Sequence, residues 1–199
     1  MRIGVLASHR GTILQALIDS GESGDQDIQI VVVISNNGRS GAIERARNHG
    51  IPHFHLSGKN QGSPEALDTA IRDTLRKHGV ELVVLAGYLK MLGPRTIAAF
   101  PNRILNTHPA LLPKYGGRGM YGMRVHEAVL AAGESVTGIT VHVVDDDYDT
   151  GPAVAQLEVP VEPGDTPESL AERSAVAERP FVVETVGRIA SGDLRLPAG

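Results

Sequence analysis

An alternation in the sequence narrows the fold more than any other feature. Short β-branched runs at residues 3–7, 28–34, 82–86 and 104–107 are separated by stretches with helical periodicity. Residues 30–34 and 82–85 are uniformly apolar, as strands covered on both faces must be. Between the runs, Ile13, Leu14, Leu17 and Ile18 recur at helical spacing, as do Ala42, Ile43 and Ala46. Leu67, Ile71 and Leu75 fall every four residues. Strand and helix signals taken in turn predict βα units on a parallel sheet. A chain of 199 residues suits one domain better than two.

After about residue 110 the pattern changes. Gly116, Gly117, Gly119 and Gly122 crowd one stretch and predict a loop. Residues 125–132 read as a helix. Residues 139–144 read as a strand that runs into Asp145, Asp146, Asp147, Tyr148 and Asp149. Residues 154–161 read as another strand, with Pro160 marking an edge or exit. Residues 166–190 predict a closing helix with Thr166 as cap and Pro167 in its first turn. Pro180 should kink or split it. The expected architecture is a single-domain α/β fold, with a mostly parallel, doubly wound, Rossmann-like sheet and a mixed C-terminal half.

Composition excludes several classes. A formal net charge of −4 argues against holding nucleic acid by its phosphates. The absence of cysteine removes disulfides, thiolate nucleophiles and cysteine-bound zinc, and suits a cytoplasmic location. Residues 1–6 lack a signal-peptide layout, and no run approaches the roughly 18 apolar residues of a membrane span. No His-Glu-x-x-His or comparable spacing occurs, so no metal site is expected. A homodimer is compatible with the sequence.

The most informative segment is Arg103-Ile104-Leu105-Asn106-Thr107-His108-Pro109. On a strand, Asn106 and His108 share a face, and Pro109 ends the ladder just beyond them. They would emerge at the carboxyl end of a strand, where ligands bind in open α/β sheets. An amide can donate to a developing oxyanion and a histidine can move a proton near neutral pH. The plainer alternative is that both satisfy backbone groups at a strand end. The acidic run at 145–149 reads as a solvated turn, a hard-cation site or a carboxylate that charges a nearby histidine. Spacing does not choose among its aspartates. The turn Ser8-His9-Arg10-Gly11-Thr12 reads as a plain βα connection or as an anion site at a helix start. It lacks both G-x-G-x-x-G and the P-loop pattern, which leaves dinucleotides and triphosphates unsupported. His126 and His142 are read as packing or surface residues.

Larger motifs carry a resemblance. Residues 85–92 read Leu-Ala-Gly-Tyr-Leu-Lys-Met-Leu, and residues 104–115 read Ile-Leu-Asn-Thr-His-Pro-Ala-Leu-Leu-Pro-Lys-Tyr. With Gly138-Ile139-Thr140-Val141-His142 and Asp149-Thr150-Gly151-Pro152, the chain resembles the folate-dependent formyltransferases, and among them the phosphoribosylglycinamide formyltransferase family of purine synthesis. The likeness covers essentially the whole chain and is strongest from residue 82 to 156. It implies transfer of a formyl group from 10-formyltetrahydrofolate to the amine of phosphoribosylglycinamide, two small-molecule partners with no nucleic acid and no membrane. By the same resemblance Asn106 polarises the formyl oxygen, His108 donates a proton, and Asp149 raises the pKa of that histidine. Gly11, Thr12 and Ile13 match the acceptor-phosphate site, while Leu89, Lys90, Met91 and Leu92 line the folate pocket with Asn106. Residues 1–110 then form the phosphate- and acceptor-binding half, and residues 111–199 contribute the folate loop and closing helix. Longer relatives, such as methionyl-tRNA formyltransferase and formyltetrahydrofolate hydrolase, carry further domains not expected here.

The chain departs from the family pattern in places. His9 and Ile13 stand where a glycine and an asparagine are usual. Lys90 stands where arginine is common, and Pro64 near another arginine position, for which Lys59 is the substitute at hand. A family glutamate that holds the acceptor's ribose precedes a proline matched by Pro180. Counting back puts Ala175 there, with Glu178 about a turn further on.

Overall fold

In the computed structural model residues 1–197 are described. The strands are β1 (Arg2–Leu6), β2 (Gln29–Ser35), β3 (His53–His55), β4 (Leu82–Leu85), β5 (Ile104–His108), β6 (Val136–Val143) and β7 (Ala153–Pro160). The helices are α1 (Thr12–Ser23), α2 (Gly41–Asn48), α3 (Gly58–Gln61), α4 (Pro64–Lys77), α5 (Pro94–Ala99), α6 (Met123–Ala131) and α7 (Pro167–Ser191). The strands form one sheet in the order β3-β2-β1-β4-β5-β6-β7. It is parallel through β5, and β6 and β7 are added antiparallel. This is the doubly wound sheet with a mixed second half that the alternation predicts. Among the described residues no helix is long and apolar enough to cross a membrane.

The two core layers follow from strand pleat. Ile3 and Val5 of β1 point to one face, where they join Leu14 and Leu17 of α1 and Val182 and Val186 of α7. Leu6 points to the other face with Ile71 and Leu75 of α4, Leu85 and Ile104. Each fully buried aliphatic of this kind contributes about 1.5–3 kcal/mol of transfer free energy. With both faces covered, β1, β2 and β4 have no room for alternation, which explains their uninterrupted apolar sequence.

Local signals set the helix starts. The Ser63 side chain accepts from the Ala66 amide and Pro64 occupies the first turn of α4, so this proline serves as a helix starter. Thr166 and Ser169 form a capping box on α7, a device worth about 1 kcal/mol. α5 has no cap of its own. Instead the buried carboxylate of Asp68 accepts from the amides of Arg95 and Thr96, both at 2.9 Å. That clamp fixes the exit of the 86–93 stretch.

Two points differ from the sequence reading. β3, α3 and α5 go unread in the sequence, because three to six residues are too few to show a period. Pro180 does not split α7, which runs unbroken for 25 residues. The carbonyl left without a donor belongs to Val176, whose residue is 56% exposed, so water can take the place of the missing bond.

Candidate active site

A cleft of about 800 Å3 opens at the carboxyl ends of β1, β4 and β5. Gly11, Thr12, Ile13, Leu89, Lys90, Asn106, His108 and Asp149 all line it. Met91 and Leu92, expected with the folate stretch, do not. Met91 is half exposed outside the cleft, and Leu92 is buried with Leu56, Ile71 and Phe100. Asp68 holds the amides of Arg95 and Thr96 just beyond, where the chain passes inward from Leu92 to α5.

One wall is backbone. Gly11 takes a left-handed conformation (φ 68°) as the N-cap of α1 and makes no side-chain cap. A Cβ there would lie 2.9 Å from the Cα of Ala42, so glycine is required on two grounds. The first amides of α1 are therefore left to the cleft, where the helix dipole adds to their pull on an anion. His9 and Arg10 line the same corner. Ser8 locks the turn to the neighbouring loop, since its hydroxyl accepts from the Leu89 amide at 2.9 Å.

The other wall is built of side chains. His108 is 3% exposed. Its Nε2 donates to the carbonyl oxygen of Tyr115 at 2.7 Å, and its Nδ1 lies 3.4 Å from Asp149 Oδ2. Asp149 reaches this place on left-handed backbone (φ 58°), held by the Gly117 amide, which donates to Oδ2 at 3.0 Å. Burial pulls the pKa of His108 below the ordinary histidine value, against the opposing influence of Asp149 and of the Tyr115 carbonyl. Asp149 itself is held below the usual carboxylate range, its burial outweighed by the pull of the neighbouring His142 and His108 side chains. With acceptors at both ring nitrogens, His108 is fully satisfied only as the imidazolium. Of the acidic run it is Asp149 that turns into the cleft, while Asp146 and Asp147 are exposed and Asp145, half-buried, accepts from the Thr150 hydroxyl.

His142 departs from its reading as a packing or surface residue. It pairs directly with Asn106 across β5 and β6. Its Nε2 lies 3.1 Å from Asn106 Nδ2 and 3.5 Å from Asp149 Oδ1. The alternating pattern of β6 hid it, because a buried polar residue on a strand looks like any inward residue. His126, 5% exposed, also lines the cleft, where burial and then the charge of His108 lower its pKa.

The departures resolve differently. Ala175 and Glu178 both line the cleft, but the carboxylate is that of Glu178. Burial raises its pKa, and a hydrogen bond with Thr107 works against that shift. Lys59 is not among the residues of the cleft, whereas Arg118 and Arg124 are. Together with Arg10 and Lys90 they give the cleft a cationic lining, which suits anionic ligands.

An amide, an imidazole and a carboxylate at a sheet mouth, facing free helix amides, define an α/β protein equipped for transfer at a carbonyl carbon. Comparison with known proteins gives the family. Residues 1–186 match the formyl transferase family model, and the chain belongs to that family. It is 41% identical over 189 residues to the chloroplastic phosphoribosylglycinamide formyltransferase of Arabidopsis thaliana, covering 94% of this chain and 65% of that protein. The Vigna unguiculata protein of the same name is covered to 59%, so the chain spans roughly three fifths of the length of these plant relatives. The phosphoribosylglycinamide formyltransferase of Haemophilus influenzae is 38% identical, with 98% of this chain and 90% of that one covered. Among solved structures, glycinamide ribonucleotide transformylase 1 from Symbiobacterium toebii superposes with a TM-score of 0.91 at 38% identity, covering all of this chain and 91% of the other.

Proposed function

We propose that the protein transfers the formyl group of 10-formyltetrahydrofolate to the amine of N1-(5-phosphoribosyl)glycinamide, releasing the N-formyl product and tetrahydrofolate. The observation that carries this reading is the convergence of Asn106, His108 and Asp149 in one cleft with the open start of α1. The acceptor's phosphate sits on the α1 amides at Gly11, Thr12 and Ile13. Backbone donors explain why Ile13 serves where relatives use asparagine. Glu178 faces the ribose hydroxyls, supported by its half-buried place in the cleft beside Thr107. The pterin side of the folate lies against Leu89 and Asn106, and its carboxylates face the cationic lining.

In the reaction, the acceptor nitrogen attacks the formyl carbon and forms the new C–N bond, and the carbonyl pair moves onto oxygen. The Asn106 amide donates to that oxyanion. His108 adds a second donor, because a charged oxygen is a better acceptor than the Tyr115 carbonyl that holds Nε2–H in the free protein. Collapse of the tetrahedral species breaks the bond to folate N10. The proton lost by the acceptor amine balances the one gained by N10. Asp149 stabilises the imidazolium through which it passes. No covalent enzyme intermediate is needed.

The deciding experiment is a formyl-transfer assay with 10-formyltetrahydrofolate, offering phosphoribosylglycinamide beside glycinamide without the phosphoribosyl group. The expected result is strong preference for the phosphorylated acceptor. Equal rates with both, or no turnover with either, would refute the assignment.

A further inference from the structure

Two buried histidines beside the site, His126 and His142, take no part in the steps above, and the geometry of His142 assigns it a task. Its Nδ1 lies 3.0 Å from the carbonyl oxygen of Val143. A carbonyl oxygen only accepts, so Nδ1 carries a hydrogen. In a neutral ring the other nitrogen, Nε2, then presents a lone pair. The atom placed 3.1 Å from it is the amide nitrogen of Asn106. An amide nitrogen only donates and an amide oxygen only accepts, so a neutral ring protonated at Nδ1 dictates which end of the Asn106 amide faces it. One amide hydrogen is spent on His142 and the second is left for the cleft. A ring protonated on both nitrogens would reverse the preference. It would favour the amide rotated by half a turn, with its oxygen inward and its hydrogens moved from their present place.

The geometry points to His142 as the positioning residue of Asn106: by staying neutral with its hydrogen on Nδ1, it holds the amide as a hydrogen-bond donor to the formyl oxygen. The inference rests on the proposed role of Asn106 as oxyanion donor. The ring is 2% exposed, which keeps water from competing for the Asn106 contact. Its neutrality has a second effect. Asp149 lies between the two rings, 3.4 Å from His108 and 3.5 Å from His142, and a neutral His142 leaves that single negative charge to His108.

The test joins a spectrum to a kinetic cycle. In 15N-labelled protein, long-range nitrogen–proton correlations distinguish the two neutral tautomers and the imidazolium, with the His142 signals identified by their loss in His142→Phe. The expected pattern at neutral pH is a protonated Nδ1 and a bare Nε2. Protonation at Nε2, alone or with Nδ1, would overturn the inference, and this readout needs no variant to be active. His142→Phe should cut kcat at least about 10-fold, less than outright loss of an oxyanion donor, while KM for both substrates stays within about twofold. His142→Gln, whose amide oxygen can accept from Asn106, should recover most of that rate. In an Asn106→Ala background, His142→Phe should cost nothing further, since the two act as one unit. Equal losses in both backgrounds would mean a merely structural role. A wild-type rate in Asn106→Ala itself would overturn the oxyanion assignment, with the nitrogen spectrum still reporting the tautomer separately. Should His142→Phe fail to fold by circular dichroism, His142→Gln and the Asn106→Ala background carry the kinetic arm.

Discussion

β5 has different company on its two sides. Toward β4 and β1 the neighbours run parallel, their residues are buried on both faces, and the cleft wall is formed by backbone amides at the start of α1. Toward β6 and β7 the chain runs antiparallel, β7 is largely uncovered, and the cleft wall is formed by side chains of β5, β6 and the loop that carries Asp149. The contrast separates two ways of recognising a substrate. A backbone site depends on the path of the chain and tolerates exchange of side chains. A side-chain site depends on identity, and every group in it must be held by another.

The comparison can be broken in order of expected effect. Asn106→Ala should lower kcat about 100- to 1,000-fold, as for removal of an oxyanion donor, and His108→Ala about 100- to 10,000-fold, as for loss of a general acid. Steady-state kinetics on folded variants reads both, and near-normal rates would dissolve the side-chain half of the contrast. Next comes Gly151→Ala, because a Cβ there would collide with the carbonyl oxygen of Val143. Overpacking of this kind costs about 1–3 kcal/mol and should displace the loop that carries Asp149. Urea titration should reveal lower stability together with lost turnover, and loss of only one would separate the loop from the reaction.

Glu178→Gln probes pH. Burial raises the folded-state pKa of Glu178 above the ordinary glutamate value of 4.5. The stability it contributes is therefore fully present below that value and is lost as pH rises through the raised one. The neutral variant should melt higher than the wild type at pH 7, with the gap closing in acid. His108 and His126 act with the opposite sign, since burial lowers both. Their contribution is complete above the ordinary value of 6.5 and fades as pH falls, so the wild type should lose stability on the acid side as well. A Glu178→Gln melting difference that does not vary with pH would contradict the burial argument. The smallest effect is expected for Thr12→Ala, which leaves the α1 amides in place. KM for the acceptor should move no more than about threefold, the scale of an exposed polar contact. A much larger change would show that the first wall is also built of side chains.

How much of this could be read beforehand follows the same divide. Residues 30–34 announced a covered strand because nothing polar could be accommodated there. β3 escaped because it pairs with β2 alone over three residues, too short for any period. Asn106 and His108 were legible from their spacing before Pro109. His142 was not, since its partner lies 36 positions away in the chain and only the β5–β6 register brings them together. Counting back from Pro180 reaches Ala175, and the helix turn that faces the cleft brings Glu178 in beside it. Leu92 belongs to the core, and Asp68, a distant residue, holds the turn that follows.

The left-handed seat of Asp149 has a practical corollary. Apart from glycine, asparagine is the neutral residue most at home in that backbone region, so exchanging the carboxylate for the amide removes charge while sparing shape. Glutamate is unsuited on both counts, displaced by its extra methylene and disfavoured by the handedness of the chain. At this position the contributions of electrostatics and architecture can be measured apart with one conservative exchange.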